Sequence, residues 1–271
     1  MESTKSTKKP TILCVAIEKG GVGKTTTAMN IGAGLQQLGK QVLLVDLDQQ
    51  GHLSRWLGWT VDGKPTVSEL IYQEVSGVNQ GGCDAAVRYN EREQLAFIPA
   101  NKMLGGIYAI LGADREGNTV LERIFRRPYF DRYDYIIFDC PTAVDNLLVS
   151  NALACSDQLL IPVQAEKFAY DGIPLMLQRY MAVKQTNNIR PYLAGMLVTM
   201  YSAHTNMSRD VFDTLKESYG DLVFPQPIPK RQEACNSTDD SNRNFGSLVR
   251  YASSRVGQAY LAAAKRIAGC A

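Results

Sequence analysis

The feature that most constrains this chain is a glycine-rich turn between an apolar run and a helical pattern. Residues 11–17 read T-I-L-C-V-A-I, a nearly continuous apolar run typical of a buried parallel strand. Residues 18–26 read E-K-G-G-V-G-K-T-T, and apolar residues then recur at helical spacing over residues 24–38. A strand that feeds such a turn and helix predicts a layered fold in which helices pack on a parallel sheet.

The alternation of strands and helices continues along the chain. Further strands are predicted over residues 41–47, 94–99, 133–139, 158–163, 193–200 and 222–228. Helices are predicted over residues 24–38, 66–72, 120–127, 147–154, 172–185, 205–219 and 246–267. Because this alternation favours a sheet covered on both faces, we expect an α/β fold with a mostly parallel twisted sheet. Residues 11–271 are expected to form a single domain after a disordered basic tail over residues 1–10.

Composition narrows the classes of protein to consider. Apolar residues make up 45% of the 271 residues and charged residues 21%, the balance of a soluble globular protein. The formal net charge is +2, so nucleic-acid binding would need a local basic patch. The six cysteines form no C-x-x-C pair, which indicates reduced, mostly buried thiols of a cytoplasmic protein. No window reaches the ~18 consecutive apolar residues that a membrane span needs.

The glycine-rich turn has the chemistry of a phosphate-binding site. Its glycines let backbone N–H groups converge on phosphate oxygens, and the following helix adds the positive end of its dipole. The Lys24 ammonium can neutralise the β- and γ-phosphates of ATP, the Thr25 hydroxyl can bind Mg²⁺, and Thr26 is placed to contact the α-phosphate. We therefore predict ATP and Mg²⁺ as cofactors. The predicted nucleotide contacts in the turn are Lys19, Gly20, Gly21, Val22, Gly23, Lys24, Thr25 and Thr26.

The turn also departs from the common signature G-x-x-x-x-G-K-[S/T]. Glu18 stands at the position of the first glycine, and an additional lysine, Lys19, precedes the paired glycines. The alternative is a glycine-rich turn that binds no ligand. The strand, the turn and the helix stand in the register that a phosphate site requires, which argues against that alternative.

Three aspartates are expected near the turn. Asp46 and Asp48 belong to V-D-L-D-Q-Q-G at the end of the second predicted strand, and Asp139 ends the predicted strand I-I-F-D. Ligands of parallel α/β sheets lie at the carboxyl ends of strands, where these carboxylates fall. Thr25, Asp46 and Asp139 are the predicted Mg²⁺ site, with the carboxylates acting through water, and Asp48 suits the positioning of an attacking water. A role as a helix cap or turn residue is the alternative for any one of them.

On these motifs the chain resembles the ParA/MinD family of deviant Walker ATPases, and within it the ParA/Soj branch. The resemblance is carried by K-G-G-V-G-K-T-T (residues 19–26), L-L-V-D-L-D-Q-Q-G (43–51), F-D-C-P (138–141), V-T-M-Y-S-A-H-T-N (198–206) and P-I-P-K (227–230). It implies a P-loop NTPase fold and slow ATP hydrolysis that a partner stimulates. It also implies that Lys19, Lys24 and Asp48 are catalytic, and that Met200 and Pro229 lie beside the adenine.

The resemblance further implies a cycle. ATP would join two subunits face to face, and Lys19 of each would reach the phosphates held by the other. This homodimer would bind DNA without sequence preference, and a ParB-like centromere-binding adaptor would stimulate hydrolysis. The protein would then be nucleoid-associated and would partition plasmid, chromosome or mobile-element DNA without binding a membrane.

One residue departs from the DNA-binding pattern of that branch. His204 stands where the branch has an arginine associated with DNA binding, and histidine is mostly neutral near pH 7. Other basic residues would then supply the phosphate contacts, for which charge and reach suffice. The candidates are Lys230, Arg231, Arg250 and Arg255; the alternative is that they belong to solvated helix faces.

Three other functions stay open. A MinD-like ATPase that cycles on a membrane ends in a basic amphipathic helix, whereas the last residues here, A-K-R-I-A-G-C-A, lack a bulky apolar face. An ATPase that positions a protein cargo is not distinguished by sequence, because an adaptor chooses the cargo. An electron-transfer ATPase like the nitrogenase iron protein needs two cysteines per subunit for a shared cluster, and Cys140 is expected to be a core residue instead.

Overall fold

The computed structural model describes residues 8–78, 82–114, 116–142, 147–167, 169–170, 172–186, 192–237 and 246–269, so most of the predicted N-terminal tail lies outside the described residues. Its centre is a seven-stranded sheet of order β3-β4-β2-β5-β1-β6-β7. Neighbouring strands are parallel except for the antiparallel pair β3 and β4. The strands are β1 (Thr11–Val15), β2 (Val42–Asp46), β3 (Arg88–Asn90), β4 (Leu95–Ile98), β5 (Tyr135–Asp139), β6 (Gln158–Gln164) and β7 (Leu193–Thr199).

Helices cover both faces of this sheet. Alternate residues of β1 point to opposite sides: Ile12 and Cys14 belong to one apolar core, and Leu13 and Val15 belong to the other. The expected α/β fold with a mostly parallel sheet is confirmed. The α-helices of the described residues are α1 (Lys24–Gln37), α2 (His52–Trp56), α3 (Val67–Ser76), α4 (Ile107–Ala113), α5 (Val120–Phe125), α6 (Leu147–Cys155), α7 (Gly172–Thr186), α8 (Asn206–Tyr219), α9 (Gln232–Asn236) and α10 (Arg255–Ile267).

The helix that follows the glycine-rich turn is fixed by close packing on α10. A Cβ atom added to Gly34 would lie 2.7 Å from the Cβ of Ala264, a distance that real contacts do not show. The two helix backbones therefore approach as closely as small residues allow. Along α1, the buried residues Ala28 and Ile31 belong to the same core as Leu13 of β1. This packing fixes the start of α1 against the end of β1.

Two predicted elements are wrong. The strand expected over residues 222–228 is reduced to two isolated bridges, Met196 with Val223 and Tyr201 with Pro229. The chain there has a proline at every second position from 225 to 229, and proline has no backbone N–H for a strand ladder. The helix expected from residue 246 begins only at Arg255. Ser254 caps it by accepting a hydrogen bond of 2.9 Å from Gly257 N, and a short 3₁₀ turn precedes that cap.

Across the part of the chain that the structure describes, no helix combines the length and apolar character needed to cross a membrane.

Candidate functional site

A cleft of about 840 Å³ opens where the glycine-rich turn leaves β1 at the carboxyl edge of the sheet. The turn lines one part of the cleft. The segment after β2, the residues after β5 and the end of β7 line the others. The lining residues are Gly21, Gly23, Lys24, Thr25, Thr26, Asp48, Gln50, His52, Arg55, Trp56, Cys140, Thr142 and Met200.

The backbone of the turn leaves the start of α1 open to an anion. Gly21 and Gly23 adopt φ values of 75° and 85°, in the left-handed region that glycine enters without a Cβ clash. Gly23 is the N-cap residue of α1 and supplies no side-chain hydrogen bond to the helix. The first backbone N–H groups of α1 therefore lack a capping side chain and carry the positive end of the helix dipole. Such an end binds a phosphate group well.

Lys24 is buried, and its ammonium is held by oxygen atoms of the protein. Its Nζ donates hydrogen bonds to the backbone carbonyl of Lys19 at 2.8 Å and to the Thr142 hydroxyl at 3.1 Å. Burial lowers the pKa of Lys24, and the nearby carboxylates of Asp139 and Asp48 act against that shift. The ammonium can exchange these two neutral acceptors for phosphate oxygens, which bind it more strongly.

Asp46 and Asp139 form a pair of buried carboxylates. They stand opposite each other at the ends of β2 and β5. Burial raises the pKa of Asp46 to about 6, against hydrogen bonds from Ser54 that lower it. Burial and the charge of Asp46 together raise the pKa of Asp139, while Thr25 and Lys24 lower it. A cation at this edge of the sheet would favour the charged form of both groups.

The two carboxylates differ in what they contact. Asp46 Oδ1 accepts a hydrogen bond of 3.0 Å from Asp48 N, and Asp46 Oδ2 accepts bonds of 2.8 and 2.6 Å from Ser54 N and Ser54 Oγ. Neither oxygen of Asp139 accepts a hydrogen bond of good geometry from the described residues, although Thr25 is close enough to lower its pKa. Asp46 therefore anchors the start of α2, whereas Asp139 and the Thr25 hydroxyl fit the surroundings of a hydrated Mg²⁺ ion.

The described residues contain no cluster of three His, Cys, Asp or Glu side chains that would hold a metal ion alone. Neither Asp46 nor Asp139 is among the residues that line the cleft. A Mg²⁺ ion bound here would therefore take most of its ligands from nucleotide phosphates and water, as Mg²⁺ does in phosphate sites.

The other residues predicted for this site lie in three different places. Asp48 and Met200 line the cleft, and Met200 adopts a φ of 52°, which is unusual for a residue with a side chain. Lys19 and Val22 contribute to the frame of the turn through their carbonyls, since Val22 O accepts a hydrogen bond of 2.8 Å from Thr199 Oγ1. Pro229 lines a different pocket.

That second pocket, of about 480 Å³, gathers most of the predicted DNA contacts. Lys230, Arg231 and Arg255 line it together with His204 and Pro229. Arg250 lies elsewhere, with its Nη1 at 3.4 Å from Glu93 Oε1. The structure thus brings three of the four predicted basic residues to one pocket, where Lys230 Nζ lies 4.0 Å from Glu166 Oε1, and leaves Arg250 outside it.

Sequence reasoning missed the contribution of α2 to the cleft. His52, Arg55 and Trp56 of α2 line it together with Gln50 just before the helix, yet a helix of five residues has too few turns to show a periodic pattern. Their place in the chain was an available signal. They directly follow Asp48, and residues that leave a parallel strand at its carboxyl end stay near that edge of the sheet.

A phosphate-binding turn between β1 and a helix, beside buried carboxylates at the ends of neighbouring strands, defines a P-loop nucleoside triphosphatase. The family described as "AAA domain" matches residues 10–192. The chain is 33% identical over 258 residues to the sporulation initiation inhibitor protein Soj of Bacillus subtilis, covering 95% of this chain and 98% of that protein. It is 33% identical over 221 residues to the chromosome partitioning protein ParA of Caulobacter vibrioides, covering 81% and 80%. This chain belongs to the ParA/Soj family of partition ATPases, as the sequence motifs predicted.

Solved structures agree with the fold. Cobyrinic acid a,c-diamide synthase from Mycobacterium smegmatis, with a bound ATP analog and magnesium, is 32% identical with a TM-score of 0.76, covering 93% of this chain and 91% of that chain. Apo McdA from Cyanothece has a TM-score of 0.82 at 24% identity, covering 96% and 99%. The second likeness concerns the fold alone.

Proposed function

We propose that this chain binds Mg²⁺ and ATP in the cleft at the glycine-rich turn and hydrolyses ATP as a DNA partition ATPase. The observation that carries the proposal is the ammonium of Lys24, which is buried beside the open start of α1 and held by neutral oxygen acceptors. A cation and a row of backbone donors at one point match a triphosphate. The cobyrinic acid a,c-diamide synthase structure, with its ATP analog and magnesium, supports the same ligands here.

Each residue of the cleft has a role in this proposal. Lys24 and the backbone N–H groups of residues 20–26 bind the phosphates, and the Thr25 hydroxyl and Asp139 hold the metal and its water ligands. Mg²⁺, when bound, supplies charge neutralisation on the phosphate oxygens. The Asp48 carboxylate accepts a hydrogen bond from the attacking water and orients it toward the γ-phosphorus. Met200 lies at the side of the cleft proposed for the adenine, whereas Pro229 lines the neighbouring pocket.

The finer part of the proposal is the dimer. Two ATP-bound subunits meet face to face, and the Lys19 ammonium of each stabilises the charge that develops on the other's γ-phosphate. Hydrolysis is slow in this arrangement until a ParB-like adaptor improves the geometry, because positioning supplies most of the catalysis in phosphoryl transfer. The protein acts in the cytoplasm on the nucleoid.

DNA binding is assigned to the second pocket. Lys230, Arg231 and Arg255 concentrate positive charge there, on a molecule whose formal net charge is only +2. Phosphate contacts need charge and reach, which accounts for binding without sequence preference. Arg250 remains a further predicted contact, although its pairing with Glu93 gives it less freedom to reach DNA.

The packing of α10 supports DNA over a membrane as the binding surface. Its apolar residues Val256, Tyr260 and Ala264 are buried in the core against α1. A helix that inserts into a bilayer interface needs an apolar face that is free to leave the protein. Here that face is already used to hold the fold together.

The test is DNA binding by the purified chain with ATP, with ADP and without nucleotide, over a series of salt concentrations. We expect binding with ATP alone and a steep loss of affinity as salt rises. Arg255→Ala should weaken binding by about tenfold at fixed salt, and Arg132→Ala, an exposed arginine that contacts Tyr129, should leave it unchanged. Equal DNA binding with ATP, with ADP and without nucleotide, or no DNA binding with ATP, would overturn the DNA assignment.

A further inference from the structure

A carboxylate stands at the entrance to the phosphate-binding turn. Glu18 occupies the position at which the common signature has glycine, and its side chain is only 4% exposed. A buried negative charge is costly to desolvate, and at this position it also opposes the binding of a phosphate anion. A residue of this kind needs a nearby positive charge.

The positive charge comes from α7. Arg179 Nη1 lies 3.3 Å from Glu18 Oε1, and the Arg179 side chain is 19% exposed. The same helix also approaches the residue before Glu18, since a Cβ atom on Gly172 would lie 3.4 Å from Cγ1 of the buried Ile17. One helix therefore lies beside two consecutive residues where the chain enters the turn.

The turn is also held beyond this entrance. The Lys19 carbonyl, directly after Glu18, accepts the hydrogen bond from Lys24, and the Val22 carbonyl accepts one from Thr199 of β7. The backbone that carries Lys19 is thus contacted on both sides, and the contact from Lys24 is the one for which a phosphate oxygen competes. A catalytic group must be held to a fraction of an ångström, and a displacement of about 1 Å costs up to about 100-fold in rate.

We propose that Arg179 is a positioning residue for Lys19. It neutralises and holds Glu18, and so fixes the backbone from which the Lys19 ammonium reaches the phosphates of the other subunit. This inference rests on the proposed function, in which Lys19 acts across an ATP dimer. It makes α7 part of the apparatus for hydrolysis, although Arg179 is not among the residues that line the cleft.

The test compares Arg179→Met, Arg179→Lys and Glu18→Gln with the double variant Glu18→Gln/Arg179→Met. The control is Gln178→Met, an exposed neighbour on the same helix. Steady-state ATP hydrolysis is measured at one protein concentration, together with the thermal unfolding midpoint. We expect Arg179→Met and Glu18→Gln each to lower kcat about tenfold. KM should stay within about threefold in Glu18→Gln and rise in Arg179→Met, where the Glu18 charge is left unneutralised. Arg179→Lys should recover most of kcat.

The double variant should lose no more activity than either single variant, because both changes break the same link. A wild-type kcat in Arg179→Met, or losses that multiply in the double variant, would overturn the positioning role. If Arg179→Met does not fold, Glu18→Gln and Arg179→Lys decide the question by the same comparison. A wild-type protein without ATP hydrolysis would instead reject the proposed function, so the two failures are distinguishable.

Discussion

The Lys24 ammonium donates a hydrogen bond of 2.8 Å to the backbone carbonyl of Lys19, five residues earlier in the same turn. The side chain of one lysine to which we assign phosphate chemistry therefore contacts the backbone of the other. A phosphate oxygen that attracts Lys24 competes with that carbonyl for the ammonium. Binding of the triphosphate to Lys24 therefore weakens a hydrogen bond that holds the backbone of Lys19 in the same turn.

Lys19→Ala tests the role of the second lysine. We expect the variant to bind ATP with an affinity within about threefold of wild type, because the Lys19 carbonyl that contacts Lys24 is retained. Stimulated hydrolysis should fall by at least about 1,000-fold, the scale of a missing cation finger in phosphoryl transfer. Fluorescent-nucleotide titration and a phosphate-release assay measure the two effects, and normal turnover in the variant would exclude Lys19 as a catalytic residue.

Gly34→Ala tests the close contact of α1 with α10. The added methyl group would meet the Cβ of Ala264 at 2.7 Å, so the helices must separate, and overpacking of this kind costs about 1–3 kcal/mol. Gly112→Ala is the matched control in α4, where the nearest atom lies at 3.9 Å and alanine should stabilise the helix by up to about 1 kcal/mol. Urea unfolding of both variants gives the comparison, and equal stabilities would contradict the packing described here.

The local part of the site was predictable from sequence because its determinants are neighbours in the chain. A buried strand, glycines with positive φ and a helix opening at Lys24 all belong to one continuous segment. The convergence of Asp46 and Asp139 was also accessible, since parallel strands present their carboxyl ends at one edge, and the register pairs these two residues.

The parts that could not be predicted depend on contacts between distant segments. The Glu18–Arg179 ion pair joins the first turn to a helix in the second half of the chain, and no spacing rule indicates it. The edge strand β3 reads R-Y-N and has no apolar pattern, so only its pairing with β4 makes it a strand. The prediction of a strand over residues 222–228 was wrong because it gave the apolar residues of that segment more weight than its prolines.

Substitution of Lys184 tests how much a buried ammonium away from the cleft contributes to stability. Its Nζ donates hydrogen bonds to the carbonyls of Ala154 and Ser156 at the end of α6. Lys184→Met leaves those carbonyls without this donor and should destabilise the fold by about 2 kcal/mol at pH 7. Lys265→Met, an exposed lysine on α10, should change stability by less than about 0.5 kcal/mol.

The same residue gives a prediction for pH. Burial lowers the pKa of Lys184 from its ordinary 10.5, so between the lowered pKa and 10.5 the unfolded chain binds the proton more tightly than the folded chain. Stability contributed by this group therefore rises with pH across that window. Urea unfolding at pH 7 and pH 10 should show wild type gaining stability relative to Lys184→Met, and a relative loss would contradict the sign.

Cysteine alkylation tests the burial of Cys140 in the wall of the cleft. Cys235 is exposed, whereas Cys14 and Cys140 are buried with their sulfur atoms 3.4 Å apart. The hydrogen bond with Cys14 and burial raise the pKa of Cys140, which leaves little of the reactive thiolate. Mass spectrometry after brief iodoacetamide treatment should find Cys235 modified at least about tenfold faster than Cys140, and similar rates would indicate an open core.

The most direct test of the account is the mass of the particle in solution with Mg²⁺ and a slowly hydrolysed ATP analogue. Sedimentation velocity should show a dimer for wild type with the analogue and a smaller species with ADP. Lys24→Ala should remain the smaller species under both conditions, while Lys64→Ala, an exposed lysine, should behave as wild type. A dimer of Lys24→Ala that forms with the analogue as readily as that of wild type would contradict the assignment of the phosphate site.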